Sequence, residues 1–148
     1  RYANVYGPRQ NPKAEGGVVA IFASRLVRNS ELAVFGRAQL GDGGGIRDYV
    51  YIRDVVQANL AAHRGQLQGQ TLDISTGIGT TTSELAETLK SIVGGQSSIV
   101  SRPPREGDLQ RSVVDPQPMI DQLGKPTTLR AGLTETVEWF ALRTKREG

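Results

Sequence analysis

Hydrophobic and polar positions change their period several times along this chain, and the changes predict alternating strands and helices. A two-residue alternation or a short apolar run predicts strands over residues 2–6, 33–35, 47–52, 71–75 and 98–101. Apolar residues at helical spacing predict helices over residues 17–29, 54–64, 82–93, 116–123 and 131–145. Strands that alternate with helices are typical of α/β proteins, so we expect the α/β class.

Polar residues and glycines mark where several of these elements begin and end. Thr81 and Glu84 have the spacing of a capping box, and Gly94 stops the helix that they begin. Asp54 is placed to cap the helix that follows the strand over residues 47–52. The long loop over residues 36–46 combines charged side chains with three consecutive glycines, so we expect it to be able to contact a ligand.

Composition limits the classes of protein to which this chain can belong. It has 148 residues, the size of one domain or of one large part of a two-part enzyme. Hydrophobic residues make up 37% and charged residues 22%, which is enough apolar material for a core. The chain has no cysteine and only one histidine, so disulfides, thiolate chemistry and a histidine metal cluster are excluded. We therefore expect no metal.

Charge and hydropathy narrow the partners. The longest apolar run, residues 18–23, is too short for a membrane span, and we expect a cytoplasmic protein without membrane contact. The net charge of +3 suits a phosphate-bearing ligand or nucleic acid. Nucleic-acid binding predicts aromatic stacking platforms, whereas aromatic residues are only 5% of this chain, so we expect no nucleic acid. Because the sequence opens on Arg1 in strand-like residues, we expect a piece of a longer chain.

The first segment suited to ligand binding is residues 1–10. Asn4 lies near the carboxyl end of a predicted strand, where open α/β sheets bind their ligands. Its amide both donates and accepts hydrogen bonds, which suits a sugar hydroxyl or a phosphate oxygen. The alternative is an ordinary strand end at which Asn4 bonds its own backbone.

The second segment is residues 42–49. Its glycines allow close approach of the backbone to a ligand, and the guanidinium of Arg47 matches a phosphate group. Asp48 is expected either to anchor Arg47 or to cap a turn. The alternative is a flexible hairpin tip that carries a surface arginine.

The third segment is the charged loop over residues 102–108. Arg105 is suited to a diphosphate, and Asp108 to ribose or base hydroxyls, and the two are close enough in sequence to face one ligand together. The alternative is a solvated charged loop. The chain has no glycine pattern with dinucleotide-binding spacing and no tyrosine followed four positions later by lysine, so it offers no catalytic residue of that kind.

In this order and at these spacings, the segments resemble the C-terminal half of the extended short-chain dehydrogenase/reductase family. The most similar branch is that of NAD-dependent nucleotide-sugar epimerases and dehydratases, and within it the UDP-glucose 4-epimerases. The resemblance covers residues 1–10, 16–22, 33–36, 41–54, 73–77, 105–115 and 137–139. It implies the C-terminal part of a Rossmann-type parallel sheet plus a small α/β lobe that binds substrate.

The resemblance also implies roles for single residues. Tyr2 and Ala3 match positions on the nicotinamide side of the cofactor. The matches to substrate-binding positions are Asn4 and Arg47 for the sugar diphosphate, Val18 at a helix start, Ala33, Val34 and Phe35 on the strand that packs on uracil, and Arg105 and Asp108 for diphosphate and ribose. Ser112 matches the position at which a tyrosine narrows the sugar pocket, which implies room for N-acetylated sugars. The alternative is that Ser112 only continues a strand.

Two motifs of the family are missing from residues 1–148. The family's cofactor loop and its Tyr-x-x-x-Lys pair belong to an N-terminal half that is absent from residues 1–148. The chain is therefore expected to be the substrate-binding half of a UDP-sugar 4-epimerase, inactive alone, with NAD bound mostly by the missing half. The alternatives are half of a dTDP-glucose 4,6-dehydratase or a decarboxylase, and a non-catalytic nucleotide-sugar-binding module. An unpaired sheet edge is also expected to cause self-association through a surface that the family does not use.

Overall fold

The structure is a computed structural model that describes residues 1–13, 17–67, 69 and 71–147. Gly16, at which one of the resembling segments begins, lies outside the described residues. Strands and helices alternate along the chain, which confirms the α/β class. The elements are β1 (Asn4–Tyr6), α1 (Val18–Leu26), β2 (Leu32–Phe35), β3 (Ile46–Tyr51), α2 (Ile52–His63), β4 (Gly79–Thr81), α3 (Thr82–Val93), β5 (Ile99–Arg102), β6 (Arg111–Ser112), α4 (Gln117–Leu123) and α5 (Leu129–Glu147).

The described strands form two sheets, and β3 is the centre of the larger one. Its C-terminal half pairs in parallel with β1, in the register Asn4 to Tyr49. Its N-terminal half is flanked by β4, which is antiparallel, and by β6, which is parallel. The second sheet consists of β2 and β5 in parallel. The start of α1 lies beside the larger sheet, because Val18 lines one cavity together with Asn4 of β1 and Arg47 of β3.

Two clusters of buried side chains cover opposite faces of β3. Tyr49 and Tyr51 lie in the larger cluster with residues of α1, α3 and α5, whereas Val50 lies in the smaller one with Val55 and Ile74. The predicted inward face of the terminal helix is confirmed, because its residues Leu133, Val137 and Phe140 are buried. A strand that is buried on both faces is rigid, so β3 gives a firm base to the residues that it carries.

The chain enters α2 directly from β3, which differs from the predicted helix start. The helix begins at Ile52 with Tyr51 as its N-cap residue, so Asp54 is not the cap. Asp54 lies in the first turn, and its carboxylate accepts hydrogen bonds from the backbone N–H and the hydroxyl of Thr127, at 3.0 and 2.8 Å. The long connection before α5 is therefore fastened to the start of α2.

The predicted strand over residues 71–75 is reduced to a single bridge between Ile74 and Tyr2. Tyr2 lies before β1, and beside this bridge the Ala3 N–H donates to the Ile74 carbonyl and the Ile74 N–H to the Arg1 carbonyl. In contrast, the predicted capping box is confirmed: the Thr81 hydroxyl accepts from the backbone N–H of Glu84, and the Glu84 carboxylate accepts from the backbone N–H of Thr81. The short strand β4 carries no periodic signal and is absent from the prediction, whereas Ser112, which one alternative places in a strand, lies in β6.

Candidate functional site

A cavity of about 430 Å³ opens between α1, β2, β3 and the loops that follow β2 and β5. It brings together residues from the second and third segments, 42–49 and 102–108, although those segments are far apart in sequence. Six of the expected site residues line it: Val18, Ala33, Phe35, Arg47, Arg105 and Asp108. The fold therefore gathers one aromatic ring, two of the expected arginines and one carboxylate around a single volume.

Strand β2 contributes alternate side chains to this cavity. Ala33 and Phe35 line it and are half-buried, while Leu32 and Val34 point the other way into the core. This follows from the two-residue period of a strand. Of the three matched β2 residues, Val34 thus supports the strand from behind, and Ala33 and Phe35 are the two that a ligand would meet.

Arg47 is held on β3 between two other strands. It is opposite Thr80 of β4 on one side and Ser112 of β6 on the other. Its guanidinium donates to the carbonyl of Ile46 at 3.0 Å, which leaves most of its five N–H donors for other partners. Ser112 therefore lies beside Arg47 in the sheet, although it does not line the cavity.

Arg105 lies across the ring of Phe35. Its guanidinium carbon is 3.5 Å from the ring centroid, which is a close cation–π contact. Phe35 is on β2 and Arg105 is on the loop after β5, so this contact joins the end of β2 to that loop on the wall of the cavity. Both residues are thereby placed to meet a ligand that is aromatic at one end and anionic next to it.

A second cavity of about 270 Å³ adjoins the first. Asn4 and Gln10 line it, and it shares Val18, Arg47 and Tyr49 with the larger cavity. The Asn4 amide donates to the backbone carbonyl of Asp48 at 3.0 Å, so it is not bonded to its own backbone as the alternative interpretation proposed. The two cavities form one cleft, with Arg47 and Tyr49 at the junction.

Asp48 is a residue whose importance the sequence only partly indicated. It is fully buried, and its carboxylate accepts from the backbone N–H and hydroxyl of Thr76 and from the N–H of Gly77, at 2.9, 2.6 and 2.9 Å. Among the described residues it makes no bond to Arg47, so the first of its two expected roles is wrong. It instead fastens a turn remote in sequence to the strand that carries Arg47.

Tyr2 and Ala3 lie outside both cavities. The Tyr2 hydroxyl donates to the side chain of Asn59 on α2 at 3.0 Å, and more than half of the tyrosine is exposed. Ala3 packs on the smaller buried cluster. These two residues lie just before β1 and line neither cavity.

The structure adds residues to the site that were not expected from sequence. Arg25, Arg37, Tyr49 and Thr82 line the larger cavity, and Gln10 lines the smaller one. Tyr49 had a usable signal, because it is two positions after Arg47 on a strand and so shares its face. Arg25 and Arg37 had no such signal, because neither the helix pattern nor the loop pattern shows which arginine side chain lines the cavity.

The cavity is electrostatically positive. Four arginines line it, Arg25, Arg37, Arg47 and Arg105, against the single carboxylate of Asp108. Burial raises the pKa of the Tyr49 hydroxyl to about 12, and the charge of Arg47 opposes that rise. Tyr49 is thus a neutral hydrogen-bond donor, not a base, at ordinary pH. Such a set of donors is suited to an anion that also carries hydroxyl groups.

Two further features of the described residues bear on function. They include no group of three acidic or histidine side chains that is arranged to hold a metal ion, and His63 lies exposed at the end of α2. None of the described helices combines the length and the apolar character that crossing a membrane requires.

Known proteins are similar to nearly the whole of this chain. UDP-glucose 4-epimerase of Mycolicibacterium smegmatis is 41% identical over 140 residues, which are 93% of this chain and 43% of the relative. The dTDP-glucose 4,6-dehydratase of an Actinoplanes species is 30% identical over 95% of this chain and 42% of its own length. The chain thus spans less than half the length of the curated relatives that it matches.

Solved structures give the same result. The crystal structure of UDP-glucose 4-epimerase with UDP-glucose from Thermotoga maritima is 44% identical, with a TM-score of 0.85 over 97% of this chain and 45% of that one. The Thermus thermophilus UDP-glucose 4-epimerase complex with NAD is 38% identical, with a TM-score of 0.82 over 95% and 45%. These likenesses confirm the fold class as part of a Rossmann-type α/β protein.

A family model described as the NAD dependent epimerase/dehydratase family matches residues 1–75, more than half of the chain. The matched range contains β1, α1, β2, β3 and α2, so it includes the strand that carries Arg47 and the two β2 residues on the cavity. The chain belongs to the NAD dependent epimerase/dehydratase family.

Proposed function

We propose that this chain binds the UDP-sugar of a nucleotide-sugar 4-epimerase, with UDP-glucose or UDP-galactose as substrate. The observation that carries the proposal is the cavity of about 430 Å³ in which Phe35, Arg47, Arg105 and Asp108 meet. An aromatic ring, a pair of arginines and a carboxylate are the groups that a base, a diphosphate and a ribose require.

The order of these groups along the cleft sets the direction of the ligand. Phe35 and Ala33 lie at the β2 end and receive uracil, while Arg105 and Asp108 reach the diphosphate and ribose from the loop after β5. Arg47 stands at the junction of the two cavities and takes the other side of the diphosphate. The sugar then enters the smaller cavity toward Asn4, with Val18 between the two volumes.

Arg105 has to leave Phe35 when uracil binds that ring. Its guanidinium carbon lies 3.5 Å from the ring centroid. A phosphate group accepts charge-assisted hydrogen bonds from Arg105. These bonds are stronger than the cation–π contact that Arg105 loses. Arg105 thereby exchanges one partner for another, and the exposed ring becomes a stacking surface for the base.

We propose that the complete reaction is carried out by a protein longer than residues 1–148. The chain spans 43–45% of the length of relatives that include an epimerase solved with NAD. We propose that residues 1–148 are its C-terminal substrate-binding half, that an N-terminal half holds most of NAD, and that Tyr2 and Ala3 meet the nicotinamide side. NAD supplies hydride transfer when it is bound, and this chain positions the sugar for it. Its expected location is the cytoplasm.

Calorimetric titration of the chain with UDP-glucose tests the proposal. Arg47→Ala and Arg105→Ala should each weaken binding about 10-fold or more, because each removes a charge-assisted contact of roughly 1.5–3 kcal/mol. Arg64→Ala is the matched control, since Arg64 is exposed at the end of α2 and does not line either cavity. No measurable binding by the wild-type chain, or unchanged affinity in both cavity variants, would refute the proposal.

A dTDP-glucose 4,6-dehydratase is the second candidate, because such an enzyme is also a relative, at 30% identity. The two candidates would use a similar nucleotide cleft, and their ligands differ in the base, which is uracil in UDP-glucose and thymine in dTDP-glucose. Titration with UDP-glucose and dTDP-glucose side by side separates them: the epimerase proposal expects the uridine nucleotide to bind more tightly.

A further inference from the structure

The loop between β2 and β3 carries an arginine that the proposed function does not yet use. Arg37 lines the larger cavity together with Gly36 and Gly45 of the same loop. Among the described residues, its guanidinium makes no hydrogen bond and no ion pair, and the side chain is half-buried. A half-buried cation without a partner, on the wall of a cavity, is available for an anionic ligand.

The backbone that carries Arg37 is held by one carboxylate. Asp42 accepts hydrogen bonds from the backbone N–H groups of Arg37, Ala38, Gln39 and Gly44, at 2.7, 2.7, 3.1 and 3.0 Å. These four bonds join the outgoing and returning legs of the loop. They hold the pKa of Asp42 well below its usual range, so the carboxylate stays charged and the loop stays closed at ordinary pH.

The closed loop is also fixed against the rest of the protein. The carbonyls of Gly43 and Gly45 accept from the backbone N–H groups of Ser83 and Thr82 at the start of α3. Gly44 has a φ of +77°, and a Cβ there would lie 2.7 Å from the carbonyl oxygen of Phe35. A side chain at this position would therefore push the loop away from β2. The loop therefore has a fixed conformation where it lines the cavity, and the backbone position of Arg37 is fixed with it.

The excess of positive charge on the cavity wall indicates what Arg37 binds. Arg25, Arg47 and Arg105 each have a partner, namely the carbonyls of Glu31 and Ile46 and the ring of Phe35. Arg37 has none among the described residues, and the only carboxylate on the cavity wall is that of Asp108. A nucleoside diphosphate brings the negative charge that this wall lacks.

We infer that Arg37 is a further binding residue for the diphosphate of the ligand, and that Asp42 is the positioning residue that holds it on the cavity wall. The inference rests on the proposed function, since it assigns two more residues to the same nucleotide cleft. The ligand class is a nucleoside diphosphate, and the contact is with its phosphate oxygens, not with the base.

Binding of UDP and of uridine to the chain separates these contacts. Arg37→Gln keeps the length and polarity of the side chain and removes its charge. It should weaken UDP binding about 10-fold in calorimetry and leave uridine binding, measured by NMR titration, within twofold of the wild-type value. Arg64→Gln, at an exposed arginine outside the cavities, should change neither.

Asp42→Asn tests the positioning role. It should weaken UDP binding by a similar factor, and the double variant Asp42→Asn/Arg37→Gln should bind UDP no more weakly than the weaker of the two single variants. Asp42→Glu keeps the charge but displaces the carboxylate, and it should give an intermediate loss. Thermal unfolding without ligand shows that each variant is folded at the temperature of the titration.

The outcomes are distinct. If the wild-type chain binds UDP and Arg37→Gln binds it equally well, the inference is overturned and the proposed function stands. The same holds if Arg37→Gln weakens UDP and uridine alike, because the residue then contacts the base or supports the fold. Additive losses in the double variant overturn the role of Asp42 alone. If the wild-type chain binds neither ligand, the proposed function itself fails.

Discussion

Asp48 and Thr76 are joined by two hydrogen bonds to the same carboxylate oxygen, from the Thr76 backbone N–H at 2.9 Å and from its hydroxyl at 2.6 Å. Asp48 is fully buried and Thr76 is half-buried, and this pair links the central strand β3 to a turn 28 residues later. Arg47 directly precedes Asp48 in the chain, and the Asn4 amide donates to the Asp48 carbonyl. The pair therefore holds in place the part of β3 that carries Arg47, although neither Asp48 nor Thr76 lines the cleft.

Removing this carboxylate should destabilise the whole chain. Asp48→Ala removes the acceptor of two half-buried backbone N–H groups and a hydroxyl, and we expect a loss of about 3 kcal/mol in the free energy of unfolding. Urea unfolding followed by circular dichroism measures it. The control is Asp73→Ala, which removes an exposed ion pair with Arg1 and should cost less than about 1 kcal/mol. Equal losses in the two variants would contradict the assignment.

The loop carboxylate Asp42 predicts a dependence of stability on pH. Its pKa is lowered in the folded chain by four backbone N–H donors, so it stabilises the fold above its ordinary pKa. That contribution is lost as pH falls from the ordinary range toward the lowered value. The urea midpoint of wild type should exceed that of Asp42→Asn at pH 7, and the difference should shrink between pH 4 and pH 2.

Glu87→Gln is the control for this pH series, because Glu87 is exposed on α3 and accepts no hydrogen bond from the described residues. Its midpoint should follow that of wild type at each pH. A gap between wild type and Asp42→Asn that persists unchanged at pH 2 would show that the loop does not depend on the charge of Asp42.

The limits of the sequence are clearest at Asp48 and Arg37. Periodicity was sufficient for the long elements, and the capping box at Thr81 and Glu84 was read correctly because both of its residues lie within one helical turn. The partners of Asp48 are 28 residues away, and no local pattern contains them. Arg37 looks like any polar loop residue until the loop is closed by Asp42. The strands β4 and β6 are too short for any period and exist because β3 offers them an edge.

The family resemblance added roles for several residues that local patterns left open. It named Arg105 and Asp108 on a loop whose own composition favoured a solvated segment, and the structure places both on the cavity. It also named Tyr2, Ala3 and Ser112, which the structure places outside the two cavities. Their roles stay predictions, because they concern a cofactor and a sugar that a complete enzyme would present.

The chain alone should have no epimerase activity. It has no tyrosine followed four positions later by lysine, and no glycine pattern with the spacing of a cofactor loop. A coupled assay with the purified chain, NAD and UDP-galactose should therefore stay at background, while calorimetry on the same sample shows UDP binding. Turnover of about 1 per second, a rate ordinary for enzymes, would require a catalytic site within these 148 residues.

We also predict self-association at the open side of β1. Among the described strands β1 has a neighbour on one side only, and α2 next to it exposes Ile52, Val56 and Leu60 in one helical stripe. Light scattering should show a mass above that of one chain at high concentration. Val56→Lys should lower it, whereas Leu142→Lys, at a leucine exposed on α5, should not. A single-chain mass at every concentration would contradict this prediction.

Sugar size should depend on Ser112. This residue lies opposite Arg47 in the pairing of β6 with β3, close to the junction of the two cavities, and it is half-buried. The small serine side chain leaves space for an acetamido group on the sugar. A tyrosine ring at this position would occupy that space, and such overpacking costs about 1–3 kcal/mol. The chain should therefore bind UDP-N-acetylglucosamine about as well as UDP-glucose. Ser112→Tyr should weaken only the former, by roughly 5- to 150-fold, and equal losses for the two sugars would show that Ser112 merely supports the strand.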